Sequence, residues 1–116
     1  MNDAVKERAR MVRLTILYGR PADPAAFDRY YWETHIPLAR KMPGFLRWTV
    51  ERVIAEPDQP PPPYHLVVGL YAASAADLQR ALASPEAQAA AADVPNFATG
   101  GATFLLTEVE DVEFDA

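Results

Sequence analysis

From Met11 to Tyr18 hydrophobic and polar positions alternate. Val12, Leu14 and Ile16 fall on one face and Arg13 and Thr15 on the other, as in a half-buried strand. Gly19-Arg20-Pro21 breaks that pattern. Asp23-Pro24 then predicts a helix start, with Asp23 as N-cap and Pro24 at the first helical position, where the N–H it lacks would be unpaired anyway. Phe27, Tyr31, Thr34 or His35, and Leu38 recur at helical spacing and predict one apolar stripe. Pro37 removes a backbone donor inside this helix, so a kink or break is expected near Thr34 to Ile36. Pro43-Gly44 ends the element.

A second strand is predicted over Phe45 to Ala55, with Leu46, Trp48, Val50 and Ile54 on one face and Arg47, Thr49 and Glu51 on the other. Glu56 to Pro63 contains four consecutive prolines and reads as a stiff loop, because proline cannot donate to a ladder. Tyr64 to Tyr71 is the third strand, with Leu66, Val68 and Leu70 opposite His65, Val67 and Tyr71. Ser74 with Asp77 resembles a capping box and starts a helix carrying Leu78 and Leu82. Ser84-Pro85-Glu86 starts another, running through alanines to about Ala92. Val94 to Gly101 reads as a loop and Ala102 to Val109 as the last strand, with a possible continuation to Phe114. Residues 1–10 show no periodicity and are expected to form a flexible tail before a single domain over 11–116.

The order β-α-β-β-α-β predicts an α+β, ferredoxin-like sandwich: a four-stranded antiparallel sheet with helices on one face. The face collecting Val12, Leu14, Ile16, Leu46, Trp48, Val50, Leu66, Val68, Leu70, Phe104 and Leu106 is expected to lie under the helices. The other collects Arg13, Thr15, Leu17, Arg47, Thr49, Glu51, His65, Val67, Tyr71, Thr103, Leu105 and Thr107. That mixture suits either an open face with scattered apolar residues or a face covered by a second copy. The expectation is a homodimer through this sheet face.

Composition narrows the function. The chain has no cysteine, which removes disulfides, thiolate catalysis and thiolate metal sites and makes a cytoplasmic location the default. Its net charge of −5 and acidic end from Glu108 to Asp115 argue against nucleic acid. No apolar run reaches the roughly 20 residues of a membrane span. Two histidines thirty residues apart lack metal-ligand spacing, no Gly-rich phosphate loop is present, and no cofactor is expected.

One stretch is distinctive: Phe27-x-x-Tyr30-Tyr31-x-x-x-His35-x-Pro37-Leu38, followed by Pro43-Gly44-Phe45. With the strand before it, this stretch resembles the EthD family, and the resemblance extends over about Met11 to Val109. That family, named for a protein encoded with an ether-degrading cytochrome P450 system, belongs to the dimeric α/β-barrel superfamily, so the resemblance implies subunits paired sheet against sheet into a barrel. It also implies a gene setting beside degradative or biosynthetic enzymes. Related barrels include cofactor-independent monooxygenases, muconolactone isomerases and polyketide cyclases.

His35 is the leading catalytic candidate, since an imidazole titrates near neutrality and serves as acid or base. Tyr31, four residues earlier, shares its helical face and is placed to orient His35 or a ligand. The competing reading is that His35 braces the kink before Pro37. Arg13, Arg47, Thr49, His65 and Tyr71 on the mixed face are candidate substrate-binding residues, an arginine holding a carboxylate or enolate oxygen; Arg–Glu pairing across strands is the competing reading. Trp48 is assigned to the core. These residues fit a cavity between sheet and helices for a small apolar or aromatic carbonyl compound, transformed by cofactor-free acid/base chemistry. A non-catalytic ligand-binding or accessory dimer and a cofactor-independent monooxygenase are the alternatives, so whether the chain is an enzyme stays open at this point.

Overall fold

The computed structural model describes residues 10–115. The tail expected over residues 1–10 therefore lies, apart from Arg10, outside the described residues. The strands are β1 (Val12–Gly19), β2 (Arg47–Arg52), β3 (Tyr64–Ala72) and β4 (Ala102–Glu108), in sheet order β2-β3-β1-β4 and antiparallel throughout. Helix α1 (Pro24–Tyr30) passes through a π-helical segment, Tyr31–His35, into α2 (Ile36–Ala39). Helices α3 (Ala75–Leu82) and α4 (Pro85–Asp93) connect β3 to β4, with a 3-10 turn at Val94–Asn96. This is the ferredoxin-like α+β arrangement expected from the pattern.

Local chemistry sets the boundaries. The side chains of Asp23, Ser74 and Ser84 accept from the backbone N–H of Ala26, Asp77 and Ala87, so α1, α3 and α4 each begin on a side-chain cap. Gly44 has φ 92°, a left-handed turn out of the first helical region that strains any residue with a Cβ. The core lies between the helices and one sheet face, where Val12, Ile16, Leu66, Val68 and Leu70 are buried. Above the strands sits an aromatic cluster. Phe27 stacks on Tyr31, and Tyr18 and Phe97 meet both rings edge-on or tilted at 5.2–6.0 Å between centroids. Such pairs add about 0.5–1.5 kcal/mol beyond burial alone.

The outer strand departs from expectation. Phe104 and Leu106, expected under the helices, are 53% and 50% exposed, and Leu105 on the other face is 47% exposed. Among the described residues strand β4 pairs only with β1, at the edge of the sheet, and both of its faces stay half open. Leu46 and Ile54, also placed on the core face, flank β2 rather than belong to it and are exposed.

His65 is the other correction. Between β1 and β3 the register runs Tyr18↔Leu66 and then Gly19↔Tyr64, so β3 carries one extra residue, a bulge at His65. Two-residue alternation placed His65 with Val67 and Tyr71, on the face away from the helices. The bulge breaks that alternation and turns the ring to the helix side, where Nε2 meets Asp28 Oδ1 of α1 at 2.7 Å and the ring packs edge-on against Phe27.

Candidate functional site

The proline-bearing helix places His35. In a regular α-helix the Glu33 carbonyl would need the N–H that Pro37 lacks. The chain instead widens into a π turn, in which the Ile36 N–H reaches back five residues to the Tyr31 carbonyl. The kink expected near Thr34 to Ile36 is this turn. Tyr31 and His35 stay on one face with their rings stacked at 5.4 Å, and both point into the protein.

His35 is 5% exposed, and its Nδ1 lies 2.9 Å from Oδ2 of Asp93, the last residue of α4. The other oxygen, Oδ1, accepts from the Tyr30 hydroxyl at 2.6 Å and from the Asn96 amide at 2.9 Å. Burial raises the pKa of the Asp93 carboxyl, but the hydrogen bonds from Tyr30, Asn96 and His35 outweigh it and hold the carboxyl below its ordinary value. Asp93 is therefore an anion at neutral pH, with acceptor atoms only. It follows that His35 Nδ1 carries the proton it shares with Asp93, and that Nε2 of the neutral ring is the basic atom.

Nε2 makes no hydrogen bond among the described residues. His35 lines a cavity between the helices and the sheet, of about 70 Å³, together with Tyr31, Tyr18, Trp48 and apolar side chains from β1, β3, α2 and α4. This is roughly five times the space one water needs. Burial pushes the Tyr31 hydroxyl up to about 12, with the Trp48 indole N–H opposing the shift, and burial pushes the Tyr18 hydroxyl up further, with Tyr31 and Asp93 adding to it. Both phenols are neutral donors at physiological pH. An apolar cavity with one oriented base and neutral donors is equipped to bind a small, largely apolar molecule and move a proton on it.

The sequence-predicted residues divide into three groups. His35 and Tyr31 come together as expected. Arg13, Arg47, Thr49 and Tyr71 lie on the far side of the sheet and do not line this cavity. There Arg13 crosses Gly69, where a Cβ would come within 2.4 Å of Nε, and pairs with Glu51 at 2.8 Å. Both arginine guanidinium groups sit over Tyr71, at 5.5 and 5.3 Å from its centroid. The cross-strand Arg–Glu pairing is thus what the structure contains. His65, tied to Asp28, borders a separate surface cleft with Arg20, Tyr64 and the proline loop.

Reading the sequence missed Asp93, Tyr30, Asn96 and Phe97, whose ring lies 4.6 Å from that of His35. Asp93 does carry a signal. A carboxylate at a helix C-terminus opposes the helix dipole, so a chain that keeps one there has donors for it. Among the described residues no three His, Asp or Glu side chains converge as a metal site would require. No helix among them is long and apolar enough to cross a membrane.

Comparison with known proteins agrees with the fold. The model of the EthD domain matches residues 20–101. An uncharacterized 11.0 kDa protein from the thcB-thcC intergenic region of Rhodococcus erythropolis is 47% identical over 102 residues, covering 88% of this chain and 98% of that protein. The crystal structure of an EthD family protein from Bacillus halodurans superposes with a TM-score of 0.80 at 34% identity, covering 86% of this chain and 99% of that one. A mutant of SnoaB, a cofactor-independent oxygenase from Streptomyces nogalater, superposes with a TM-score of 0.62 at 20% identity, covering 90% and 97%, a likeness of fold alone.

Proposed function

The chain belongs to the EthD family, and from its site we propose that it binds a small apolar carbonyl compound between sheet and helices and transfers a proton on it, with His35 as the acid/base and no cofactor. The observation that carries this reading is the His35–Asp93 pair at the wall of an apolar cavity: the carboxylate holds one ring nitrogen and leaves the other free to act on a ligand. Had His35 only braced the kink, its partners would be backbone carbonyls freed by Pro37; its one side-chain hydrogen-bond partner among the described residues is 58 positions away.

Acetophenone in deuterium oxide is a suitable probe, because its methyl protons are acidic and their replacement by deuterium is followed by NMR. The expected result is incorporation above the buffer rate, abolished in His35→Ala with the circular dichroism spectrum unchanged. Equal rates for the two proteins would overturn the acid/base role. A ligand that binds without exchange would instead support the non-catalytic binding module. Deprotonation is also the first step by which an electron-rich substrate reacts with dioxygen unaided. The oxygenase reading, supported by the fold likeness to SnoaB, therefore depends on the same residue, and oxygen uptake separates it from simple proton transfer.

We also propose that two copies pair through the sheet face opposite the helices. Supporting this are Leu105, exposed on that face of an otherwise open edge strand, and the Arg13–Tyr71–Arg47 layer, which gives the face both apolar and polar contacts. Sedimentation should show a dimer for the natural sequence and a monomer for Leu105→Glu. A natural chain that sediments as a monomer at every concentration sinks the proposal. A cytoplasmic site of action fits the absence of cysteine from the chain.

A further inference from the structure

Trp48 lies on the helix-facing side of β2, opposite Leu70, and lines the same cavity as His35 and Tyr31. Its indole Nε1 is buried and has no hydrogen-bond partner among the described residues. The Tyr31 hydroxyl is near enough to feel this N–H but does not meet it in hydrogen-bonding geometry. A buried donor without an acceptor is destabilising, and folded proteins keep few of them. Phenylalanine would fill much of the same space without the unpaired group. The other such atom among the described residues, Arg13 Nε, is a different case, because the rest of its guanidinium is engaged by Glu51 and Tyr71.

We propose that the Trp48 N–H is the donor for a ligand oxygen, which places that oxygen beside Trp48 and Tyr31 and the adjacent acidic C–H against His35. The ligand class is then small ketones, esters or lactones with a labile proton next to the carbonyl. The proposal rests on the reading of His35 as acid/base. In the step it describes, the C–H bond breaks and its proton goes to His35 Nε2. The electron pair moves to the carbonyl oxygen, giving an enolate held by the indole N–H. Return of a proton from the imidazolium to carbon restores the ketone. A hydrogen bond that strengthens as charge gathers on oxygen favours the enolate over the bound ketone.

The test compares acetophenone with α-methylstyrene, in which a CH2 group replaces the carbonyl oxygen at nearly constant shape. The chain has two tryptophans, so Trp32→Phe leaves Trp48 as the sole indole, and its fluorescence reports on binding directly. Acetophenone should bind about tenfold more tightly than α-methylstyrene, from one hydrogen bond. In Trp48→Phe, followed by calorimetry, that preference should disappear while α-methylstyrene affinity holds. In the natural chain the indole proton resonance of Trp48 should move downfield with acetophenone and not with α-methylstyrene, a readout that needs no variant to fold. Equal affinity for the two probes, binding of neither, or a preference that survives Trp48→Phe would overturn the proposal. If the preference depends on Trp48 but no deuterium exchange occurs, the donor role stands and only the proton-transfer reading falls.

Discussion

Asp93→Ala is expected to lose about 3 kcal/mol of stability, more than any surface substitution in this chain. Asp93 is 9% exposed and accepts from three side chains, His35, Tyr30 and Asn96. Alanine leaves those donors facing a hole, and each buried donor without a partner costs about 1–3 kcal/mol. Tyr30 is only partly buried and Asn96 is exposed, so both can turn to water and the sum stays below three full penalties. Asp93→Asn separates stability from chemistry. Its single carbonyl oxygen still accepts, but the amide N–H2 now faces one of the former donors. Facing His35 it conflicts with one donor, and facing Tyr30 and Asn96 with two, so the amide turns to His35, the ring takes up its proton on Nε2 and the base disappears. Acetophenone exchange should then fall by about 10²–10⁴-fold, the usual contribution of a positioned acid/base, with the midpoint of urea unfolding lowered by much less than in Asp93→Ala. Exchange at the natural rate in Asp93→Asn would reduce Asp93 to a structural role.

The same carboxylate sets an acid limit. Its folded-state pKa lies below the ordinary value, so the unfolded chain binds a proton more readily than the folded one. Its contribution to stability is therefore complete above the ordinary carboxylate pKa and is lost as pH falls through the folded value. Asp93→Asn should flatten that part of the stability profile.

Why the sheet and His35 were legible in the chain while Asp93 and Trp48 were not follows from the range of the interactions involved. Alternation in Val12–Ile16 and Leu66–Leu70 reports on burial two residues at a time, and the sheet follows from it. His35 stood out as an imidazole on the helical stripe and Tyr31 as its neighbour four residues earlier, while Pro37 marked where the backbone departs from the α-helix. Asp93 is assigned to His35 only by the way α4 packs against the first helical segment, and no local pattern encodes that contact. The orphan N–H of Trp48 is likewise a statement about what is missing around an atom. A period-two reading fails at His65 because one inserted residue turns it to the other face. It fails at Phe104 and Leu106 for another reason: the pattern marks these residues as facing the helices, but not how far the helices extend across the sheet. Arg13, Arg47 and Tyr71 were placed on the correct face, and it is the cavity that lies on the other one.

Deleting Glu33 should remove the site while keeping the fold. Glu33 is exposed and sits inside the five-residue π segment, where its side chain makes no hydrogen bond among the described residues. A π turn is an α-helix with one residue too many, so a deletion inside it restores the α register. Each residue of an α-helix advances about 100° around the axis, so the deletion changes the angle between the Tyr31 and His35 side chains by about that amount. Tyr31 is 1% exposed and wedged among Tyr18, Phe27 and Phe97. The aromatic cluster anchors the segment before the deletion, and the rotation falls on His35 and the short α2. His35 would swing off Asp93 and out of the cavity, and Pro37 would face a carbonyl it cannot satisfy. The expected result is a folded protein with its helical and sheet content retained, about 2–4 kcal/mol less stable from the proline conflict and the broken His35–Asp93 pair, and with acetophenone exchange at the buffer rate. Exchange retained in the deletion variant would mean that the π turn is incidental to the site. Loss of exchange with Pro37→Ala included to relieve the backbone conflict would show that the orientation of His35, rather than strain, is what the turn supplies.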